Sequence, residues 1–422
     1  MLDVTFIREH PDVVKEGMKN KGESNTQVVD ELLDADERWR SLVKKVDDLR
    51  SESNTKAKEI GKLMGQGKKE EAQEIIAHTS KLKEQIKDLE EDLNKLKSKR
   101  DELILHIPNV PHKSVPVGAS EEDNEIFKTW GEPAEEEWRS PHWELAEDSG
   151  WVDFERGAKV TGAGFPFYLG PIARLQRALI NYFLNKATKT GYTEIQPPFF
   201  VNEDSARGTG QIPDKEDMMY EIPRDEFFLI PTAEVPVTNF HRDEIISADK
   251  LPIYYVAYTP CWRREAGSYG KDVRGLNRLH QFDKVELVKI VHPDNSYEEL
   301  ESLREYAESL LEDLKLPYRT LLMCTGDMGF TQSKKYDLEV WSPGQQRWLE
   351  VSSCSNFVGY QARRMQLRFR DKTGNTQTLH TLNGSGLALP RVVSAIIETY
   401  QDEEGNIEVP EVLKPLVGSE YL

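Results

Sequence analysis

The chain has 422 residues, with 55 basic and 74 acidic side chains, so its formal net charge is −19. A chain of this length predicts two or three domains and a full catalytic core. Its 38% hydrophobic content includes no apolar run near the ~18 residues that a membrane span needs, and its acidity excludes a basic nucleic-acid coat protein.

The amino terminus and the cysteines indicate a cytoplasmic protein. The first residues, MLDVTFIREHPDVV, carry charges where a signal peptide has an apolar stretch. Three scattered cysteines, Cys261, Cys324 and Cys354, are too few for a disulfide framework. Their spacing favours a separate structural role for each and leaves a shared zinc ion as the alternative. We therefore expect a reducing compartment, the cytoplasm.

The amino-terminal third has the seam of a coiled coil. Apolar residues recur at intervals of three and four on both sides of a break, GQGKK at 65–69. The seam positions are Trp39, Leu42, Val46, Leu49, Ser53, Lys56, Ile60 and Leu63 before the break, and Ala72, Ile75, Thr79, Leu82, Ile86, Leu89, Leu93, Leu96, Arg100, Leu103 and Ile107 after it. This spacing predicts an antiparallel helical hairpin. Each helix of about 35–40 residues would span roughly 50–60 Å, so we expect the hairpin to form an arm.

The charge on this arm allows two interpretations. Residues 26–107 carry 17 basic and 19 acidic side chains, so the arm is close to neutral and the rest of the chain is acidic. Within residues 55–69, around the break, five lysines accompany a single acid, Glu59; they are Lys56, Lys58, Lys62, Lys68 and Lys69. Periodicity alone favours a solvated helix face, and a phosphate-binding tip is the alternative. Prolines in PNVPHKSVPVG (108–118) end the helix, and we place the domain boundary there, after residue 110.

Common nucleotide-binding and hydrolase motifs are absent from the sequence. No G-x-x-x-x-G-K-[ST] occurs, and GAGFPFYLG (162–170) places Phe167 where the third glycine of G-x-G-x-x-G would stand. H-E-x-x-H, paired C-x-x-C and G-x-S-x-G are missing too. Hydrolases and Rossmann-type oxidoreductases therefore lose most of their support.

The first of three informative segments is residues 173–201. It predicts a helix, a stop at Gly191 and a short strand. The helix face that would pack inward consists of Leu175, Leu179, Tyr182, Phe183 and Ala187. Taken alone, this segment is also compatible with ordinary core.

The second segment, residues 253–291, predicts two strands around a glycine-containing loop. Arg263 and Glu265 stand two apart at the end of the first strand, so we expect both to face one side, as a guanidinium for phosphate and a carboxylate for an amino group. A surface salt bridge is the simpler alternative. Apolar neighbours favour a cavity; these are Tyr254, Val256, Phe282, Val285 and Leu287.

The third segment, residues 380–401, predicts a strand, an Asn-Gly-Ser-Gly turn and a helix. The inner face of that helix would be formed by Val392, Val393, Ile396 and Ile397. Arg391 in the first turn opposes the helix dipole, which suggests an anion bound there. In the strand-like run 348–357, Glu350 and Ser353 suggest a metal–phosphate site.

Taken together, these segments resemble a known family. The arm, GYTEIQPP, TAE at 232–234, RREAG, HQFDKVE, EVSS and TLNGSGLALPR follow the order of seryl-tRNA synthetases of the bacterial type, which are class II aminoacyl-tRNA synthetases. Each motif is weak alone, but the joint order is specific and covers essentially the whole chain.

The resemblance implies an α+β protein with two domains. Residues 1–110 would be a tRNA-binding helical domain with an antiparallel two-helix coiled-coil arm. Residues 111–422 would be a class II catalytic domain, built on an antiparallel sheet with flanking helices. Its motifs 1, 2 and 3 would be residues 173–201, 253–291 and 380–401.

The implied reaction is ATP-dependent activation of L-serine to seryl-adenylate, followed by transfer of serine to the 3′ end of serine tRNA. Whether selenocysteine tRNA is also a substrate depends on the host. Arg263 and Arg391 would be catalytic, with Arg263 on the α-phosphate and the serine carboxylate and Arg391 on the γ-phosphate. Glu350 and Ser353 would hold the Mg²⁺ that accompanies ATP.

The resemblance also implies the rest of both binding sites. For ATP, Glu265 would accept the adenine amino group and Phe282 would stack on the ring, and the other residues would be Leu279, Arg264, Val351 and Ser352. Serine would be bound by Thr232, Ala233, Glu234, Arg263, Glu286, Thr381, Asn383 and Ser385. The intact TAE strip and the long arm indicate the branch of the family without zinc. Pro390 departs from many relatives, and proline suits the first helical turn.

The implied partners are ATP, L-serine, serine tRNA with its long variable arm, a second copy of the chain joined through motif 1, and no membrane. The five lysines near the break would be candidate tRNA contacts. Two alternatives stay open. One is an adenylate-forming paralogue that loads a carrier protein, which would dispense with the arm. The other is an interaction protein with an inactive synthetase-like body, which would have lost the charged site residues.

Overall fold

A computed structural model of the chain describes residues 1–134, 136, 138–213, 217–265 and 274–422. The chain divides into two compact units, Leu2–Pro108 and Asn109–Leu422, with Met1 assigned to the second. We refer to them as the helical unit and the sheet unit.

The helical unit is dominated by two long helices. Its helices are α1 Val4–Glu9, α2 Pro11–Asn20, α3 Gln27–Gly65 and α4 Lys69–Leu103, followed by a 3₁₀ turn at Ile104–His106. The predicted break lies where α3 ends and α4 begins, and Gly67 there has a φ of +77°, which favours glycine. Each predicted seam residue is buried or half-buried, whereas the charged residues between them are mostly exposed. The predicted antiparallel coiled coil is confirmed.

The polar seam position Arg100 is explained by a buried carboxylate. Asp36 is 2% exposed and receives Arg8 at 3.0 Å, Arg40 at 2.9 Å and Arg100 at 3.5 Å. The Arg100 guanidinium also lies 4.3 Å from the centre of the Trp39 ring. A buried charge needs such partners, so this cluster fixes the register at one end of the hairpin.

The sheet unit alternates strands and helices. Its helices are α5 His142–Asp148, α6 Phe154–Val160, α7 Gly170–Lys189, α8 Glu203–Thr209, α9 Glu234–Thr238, α10 Ser296–Asp313, α11 Tyr360–Arg364, α12 Leu389–Thr399 and α13 Lys414–Val417. Its strands are β1 Glu125–Trp130, β2 Val152–Asp153, β3 Phe167–Tyr168, β4 Thr193–Glu194, β5 Phe200–Asn202, β6 Glu221–Ile222, β7 Phe227–Leu229, β8 Ile245–Ser247, β9 Ile253–Trp262, β10 Gln281–Val291, β11 Tyr318–Leu322, β12 Lys334–Ser342, β13 Arg347–Val358, β14 Arg368–Arg370, β15 Thr376–Thr378 and β16 His380–Ala388. Short 3₁₀ turns occur at Glu121–Asp123, Asn239–His241, Ala248–Lys250, Pro293–Asn295 and Glu411–Leu413.

Eight of the described strands form the main sheet, in the order β1-β11-β12-β13-β16-β10-β9-β4. Neighbours are antiparallel, except that β4 runs parallel to β9. The α+β fold and the antiparallel sheet are therefore confirmed. Smaller sheets are formed by β15-β14-β8, β5-β7-β6 and β2-β3.

The main core lies between one face of this sheet and helices α7, α10 and α12. Helix α7 buries four of the five predicted residues completely or almost so, and α12 buries its whole predicted inner face. Strand β10 shows the alternation that results: Val285, Leu287 and Val291 join this core, while Lys284 and Glu286 point to the opposite face. Polar residues on that opposite face build the site.

The predicted Asn-Gly-Ser-Gly turn is wrong, because β16 runs through residues 383–386 without interruption. A Cβ atom at Gly384 would lie 3.0 Å from Leu303 Cγ and 3.1 Å from Cys354 Sγ. This glycine is required by the close approach of α10 and β13, and not by a turn.

Candidate active site

A cavity of about 170 Å³ opens on the polar face of the main sheet. Its walls come from the loop before β10 and from β10, β13, β16 and the start of α12. The lining residues are Arg263, Glu265, Leu276, Asn277, Arg278, Leu279, Phe282, Lys284, Glu350, Val351, Ser352, Ser353, Ser385, Ala388, Pro390 and Arg391.

Arg263 lies just beyond the end of β9. Its Nε donates to the main-chain carbonyl of Pro231 at 3.3 Å, and its guanidinium lies 5.1 Å from the centre of the Phe282 ring. These contacts hold the cation at the cavity wall, beside the segment that begins with Thr232. A fork of donors fixed in this way suits a phosphate or a carboxylate.

Glu265 reaches the cavity by a route that the sequence did not predict. We expected Arg263 and Glu265 to share one face of a strand, but the strand ends at Trp262. Glu265 instead has a φ of +50° in the loop, and its carboxylate pairs with Arg278 at 2.9 Å. Arg263 and Glu265 both line the cavity, as we expected, but the shared strand face that we gave as the reason was wrong.

Arg391 and Glu350 both line the cavity and are in direct contact with each other. Arg391 donates from Nη1 to the Glu350 carbonyl at 2.7 Å and from Nε to the Asn277 carbonyl at 3.0 Å. The surrounding protein opposes ionisation of Glu350, but the positive charges of Lys335, Arg391 and Arg263 hold its pKa below the usual range. Because the Glu350 side chain is 47% exposed, an ionised carboxylate is available to a ligand.

A bulge brings Ser353 to the same side as Glu350. In a regular strand, residues three apart face opposite sides. The register with β12 shifts between Leu338 and Glu339, so β13 has one extra residue between Glu350 and Ser352. This extra residue reverses the alternation, which explains why both Glu350 and Ser353 line the cavity.

A buried network of carboxylates and amides adjoins the cavity. Glu234 accepts from Gln361 Nε2 at 2.6 Å and from Asn383 Nδ2 at 2.8 Å. The same Asn383 nitrogen donates to Glu286 Oε1 at 2.9 Å, so one amide bridges two acids. Lys284 Nζ donates to Thr232 Oγ1 at 2.8 Å and lies 2.6 Å from Glu286 Oε2.

This network has more acceptors than donors. Burial, together with the neighbouring charge of Glu286, raises the pKa of Glu234 to about 7. Asn383 Oδ1 is buried and has no hydrogen-bond partner, and Glu286 Oε2 lacks one with hydrogen-bond geometry although Lys284 is close. A ligand that donates several hydrogen bonds would satisfy such a set.

The structure brings most of the predicted residues together. Those that line the cavity are Arg263, Glu265, Leu279, Phe282, Glu350, Val351, Ser352, Ser353, Ser385 and Arg391. Those of the network are Thr232, Glu234, Glu286, Asn383 and Thr381, whose hydroxyl donates to Gln361 at 2.7 Å. Ala233 is buried between two of them and packs against β9 and β10.

Other predicted residues lie elsewhere. Arg264 is not among the residues that line the cavity, and its guanidinium pairs with Asp217 at 3.1 Å. The candidate tRNA contacts all lie in the helical unit, where Lys56 pairs with Glu59 at 3.3 Å and Lys68 with Glu71 at 3.0 Å. The glycines of the motif 2 loop at 267 and 270 fall outside the described residues.

Six residues of the site were not predicted from the sequence: Leu276, Asn277, Arg278, Lys284, Ala388 and Gln361. Lys284 was within reach, because it alternates with Phe282 and Glu286 on one strand. Gln361 carries no local signal, since it enters from α11, more than a hundred residues from Glu234.

Within the described ranges, no three His, Cys, Asp or Glu side chains are grouped as a metal site. None of the described helices combines the length and the apolar composition that crossing a membrane requires. The three cysteines are buried and unpaired with one another.

Comparisons with known proteins agree over the whole chain. Residues 1–111 match the seryl-tRNA synthetase N-terminal domain, and residues 219–400 match the class II tRNA synthetase core domain (G, H, P, S and T). A serine–tRNA ligase from Salinibacter ruber is 59% identical over 420 residues, covering 99% of this chain and 98% of the relative.

Solved structures are similar too. Seryl-tRNA synthetase from Pyrococcus horikoshii, complexed with ATP, has a TM-score of 0.94 at 38% identity, covering 100% of this chain and 99% of that one. The cytoplasmic serine–tRNA ligase from Naegleria fowleri, in complex with AMP, has a TM-score of 0.88 at 29% identity, covering 100% and 98%. Because these matches extend over the full length of the chain, it belongs to the seryl-tRNA synthetase family, within the class II aminoacyl-tRNA synthetases.

Proposed function

We propose that the chain is a serine–tRNA ligase that activates L-serine with ATP and then transfers serine to the 3′ end of serine tRNA. One observation carries the proposal. A cavity with two fixed arginines adjoins a buried network that contains two carboxylates, and the guanidinium of Arg263 lies beside the segment that begins with Thr232. A nucleotide triphosphate and a small ammonium-bearing hydroxy acid are the ligands that suit such a pair of sites.

Adenylate formation needs the serine carboxylate to attack the α-phosphorus while pyrophosphate leaves. We assign Arg263 to the α-phosphate and the serine carboxylate, and Arg391 to the γ-phosphate. Fixed cations on both sides of the reacting phosphorus offset the charge that develops there, and no protein nucleophile is required. Phe282 would stack on the adenine, Glu265 would accept its amino group, and Leu279, Val351 and Ser352 would complete the wall.

Glu350 and Ser353 fit a divalent cation. The Glu350 pKa is lowered, its carboxylate is exposed in the cavity, and the bulge in β13 turns a hydroxyl to the same side. Oxygen ligands of this kind, completed by phosphate oxygens, match Mg²⁺. When bound, Mg²⁺ would neutralise phosphate charge, and we expect no zinc in this enzyme.

The serine pocket is assigned to Thr232, Glu234, Glu286, Thr381, Asn383 and Ser385, with Ala233 shaping it. The unpartnered acceptors would be satisfied by the ammonium and hydroxyl hydrogens of serine. Alanine lacks the hydroxyl and would leave buried acceptors unpaired, so we expect strong rejection. Threonine adds one methyl group, which shape alone excludes by only about 1–3 kcal/mol.

Transfer of serine to tRNA requires tRNA binding as well as catalysis, and we assign these two roles to different parts of the chain. We propose that residues 1–110 bind tRNA through the coiled-coil arm and that residues 111–422 are the catalytic domain. Recognition of a long variable arm needs contacts to backbone and shape, which a charged helical hairpin offers. A cytoplasmic homodimer formed through motif 1 completes the proposal, since two-fold dimers are the commonest symmetric assembly.

Pyrophosphate exchange tests this proposal. Purified chain, ATP, Mg²⁺ and radiolabelled pyrophosphate should give exchange with serine but little with alanine or threonine, and the chain should then charge serine into total tRNA. Exchange without charging would indicate a paralogue that loads another carrier. Absence of serine-dependent exchange in folded protein would refute the proposal.

A further inference from the structure

Behind the cavity wall lies a buried histidine–carboxylate pair that neither binding site uses. His142, the first residue of α5, and Glu398, near the end of α12, are 1% and 0% exposed, and His142 Nδ1 lies 2.8 Å from Glu398 Oε1. Both residues belong to the sheet unit. Burial of a carboxylate costs free energy, because the charge loses its hydration. The contacts of this pair must therefore compensate for that cost.

The protonation pattern of His142 follows from its neighbours. The Leu276 main-chain N–H donates to His142 Nε2 at 2.8 Å, so this nitrogen is an acceptor and carries no hydrogen. The hydrogen of the neutral ring is therefore on Nδ1, which donates to Glu398. His142 thus connects Glu398 of α12 to the main chain of Leu276, which lines the cavity next to Asn277 and Leu279.

Glu398 is held by further donors. It accepts from the main-chain N–H of His142 at 3.0 Å, from Gln345 Nε2 at 3.0 Å and from the Ser342 hydroxyl. Burial opposes its ionisation, but these hydrogen bonds, above all those of His142, hold the pKa of Glu398 below its usual range. The carboxylate is therefore a rigid anchor.

The anchor connects to the cavity by two routes. In the first, His142 holds the Leu276 N–H. In the second, Gln345 bridges to Asn277, whose Nδ2 donates to Gln345 Oε1 at 2.9 Å, and the Asn277 carbonyl accepts from Arg391 Nε at 3.0 Å. Arg391 and Glu398 stand seven residues apart on α12, so the segment after residue 274 is tied to both ends of one helix face.

Gly275 is shaped to this contact. It has a φ of +63°, and a Cβ atom there would lie 2.3 Å from His142 Nε2. The chain therefore approaches the ring more closely than a side chain permits. Next to it, the Arg274 guanidinium lies 4.8 Å from the ring centre of Trp143.

We propose that His142 and Glu398 are positioning residues for ATP: they fix the wall formed by Leu276, Asn277 and Leu279 and, through Asn277, the orientation of Arg391. This rests on the ATP site proposed above and adds to it two residues that touch no substrate. Groups that orient a binding residue in this way commonly affect function by tenfold to a hundredfold when changed.

Two variants that each keep one of the two hydrogen bonds of the ring separate this role from simple packing. In His142→Asn the side-chain amide can replace Nδ1 and donate to Glu398, but nothing accepts from Leu276. In His142→Gln the amide oxygen can replace Nε2 and accept from Leu276, while Glu398 keeps its other donors. We expect His142→Asn to lower kcat/KM for ATP in serine-dependent exchange by about 10–100-fold, and His142→Gln to retain it within about threefold.

The serine KM should change by less than about twofold in both variants, because the carboxylate network shares no hydrogen bond with the anchor. The ATP Kd, measured calorimetrically with Mg²⁺ present, should rise in His142→Asn and not in His142→Gln. His112→Asn is a matched control, since His112 bonds to Ser114 away from the cavity, and it should behave like the wild type.

Gln345→Ala gives a test that leaves His142 in place. Gln345 is only half-buried, so the variant should fold and keep its melting temperature within a few degrees. Its kcat/KM for ATP should nevertheless decrease by about three- to tenfold. Any of three results would overturn the inference. The first is an equal decrease of kcat/KM for ATP in both His142 variants, and the second is an equal change in the serine KM and the ATP KM. The third is an unchanged ATP Kd in His142→Asn and Gln345→Ala. Because ATP binding is measured directly, a wild type that binds ATP but shows no serine-dependent exchange would refute the proposed function and leave this inference to be decided by the Kd values.

Discussion

Lys284 Nζ lies 2.6 Å from Glu286 Oε2, and both side chains are buried on the polar face of β10. Lys284 also lines the cavity assigned to ATP, whereas Glu286 belongs to the network assigned to serine. This ion pair therefore lies between the site proposed for ATP and the site proposed for serine. Its two members should respond differently to substitution.

The first prediction concerns Glu286→Gln. The amide keeps the volume but removes a charge that serine's ammonium would use, so we expect the serine KM to rise about tenfold to a hundredfold. The ATP KM should change by less than about threefold. Both constants come from the same exchange assay. Equal rises in the two would place Glu286 outside the amino-acid pocket.

How far the sequence could predict this site depends on the residue. Lys284, Glu286 and Phe282 follow from the alternation of one strand, and Arg391 from its unfavourable place in a helix. Ser353 reaches the site through a bulge, and Glu265 through a left-handed backbone conformation. Gln361 contacts Glu234 across more than a hundred residues of sequence. None of these three features produces a local sequence pattern. The arm was predictable because a heptad repeat is local. The need for glycine at Gly384 was not, because its neighbours come from α10 and β13, far away in the sequence.

The second prediction concerns Arg391→Ala. Its Nη1 and Nε donate to the main-chain carbonyls of Glu350 and Asn277, and Nη1 lies 3.9 Å from the Glu350 carboxylate, so the residue is expected to bind charge rather than to pack. We expect exchange to fall by the equivalent of ~2–4 kcal/mol in transition-state stabilisation. Circular dichroism should show an unchanged fold.

Arg391→Lys is the control for charge alone. Lysine keeps the positive charge but cannot make both bonds of the guanidinium fork, so we expect it to recover only part of the activity. Near-normal exchange in a folded Arg391→Ala variant would contradict the assignment to the γ-phosphate.

The third prediction concerns pH. Burial and Glu286 raise the pKa of Glu234 to about 7, so the unliganded carboxyl loses its proton as the pH rises through that value. Serine's ammonium binds the ionised form better, and the serine KM should therefore fall between about pH 6 and pH 8. Glu234→Gln should have a higher KM that no longer varies over this window. A serine KM for the wild type that is flat or rises with pH would disagree with this role.

The fourth prediction concerns stability. In Gly384→Ala the added methyl would press on Leu303 and Cys354, so we expect the sheet unit to lose about 1–3 kcal/mol. Gly61→Ala is the matched control, because Gly61 lies within α3 and nothing surrounds its Cβ position within 4 Å. That change should stabilise the hairpin by up to about 1 kcal/mol. Thermal unfolding followed by circular dichroism measures both.

The fifth prediction concerns the coiled-coil arm. Deleting residues 43–96 and joining Leu42 to Lys97 with a short glycine linker would remove the tip lysines but keep the buried Asp36 cluster with Arg40 and Arg100. Because the proposed catalytic residues all lie in the sheet unit, serine-dependent exchange should remain within about threefold. Charging of serine tRNA should fall by at least about a hundredfold, because the acidic body offers no diffuse attraction for RNA.

A lysine variant tests the tip more finely. Changing Lys58, Lys62 and Lys69 together to glutamine should weaken tRNA binding and reduce its salt dependence by about 0.7–0.9 in slope for each phosphate that is no longer neutralised. The control changes three exposed lysines of the sheet unit, Lys159, Lys315 and Lys372, which alters the net charge equally. If binding depends on local contacts, the tip variant alone should change the slope, whereas equal slopes would mean that overall charge decides. If the shortened chain charges tRNA as well as the full one, the hairpin is structural, and its lysines are the solvated helix face that periodicity alone favours.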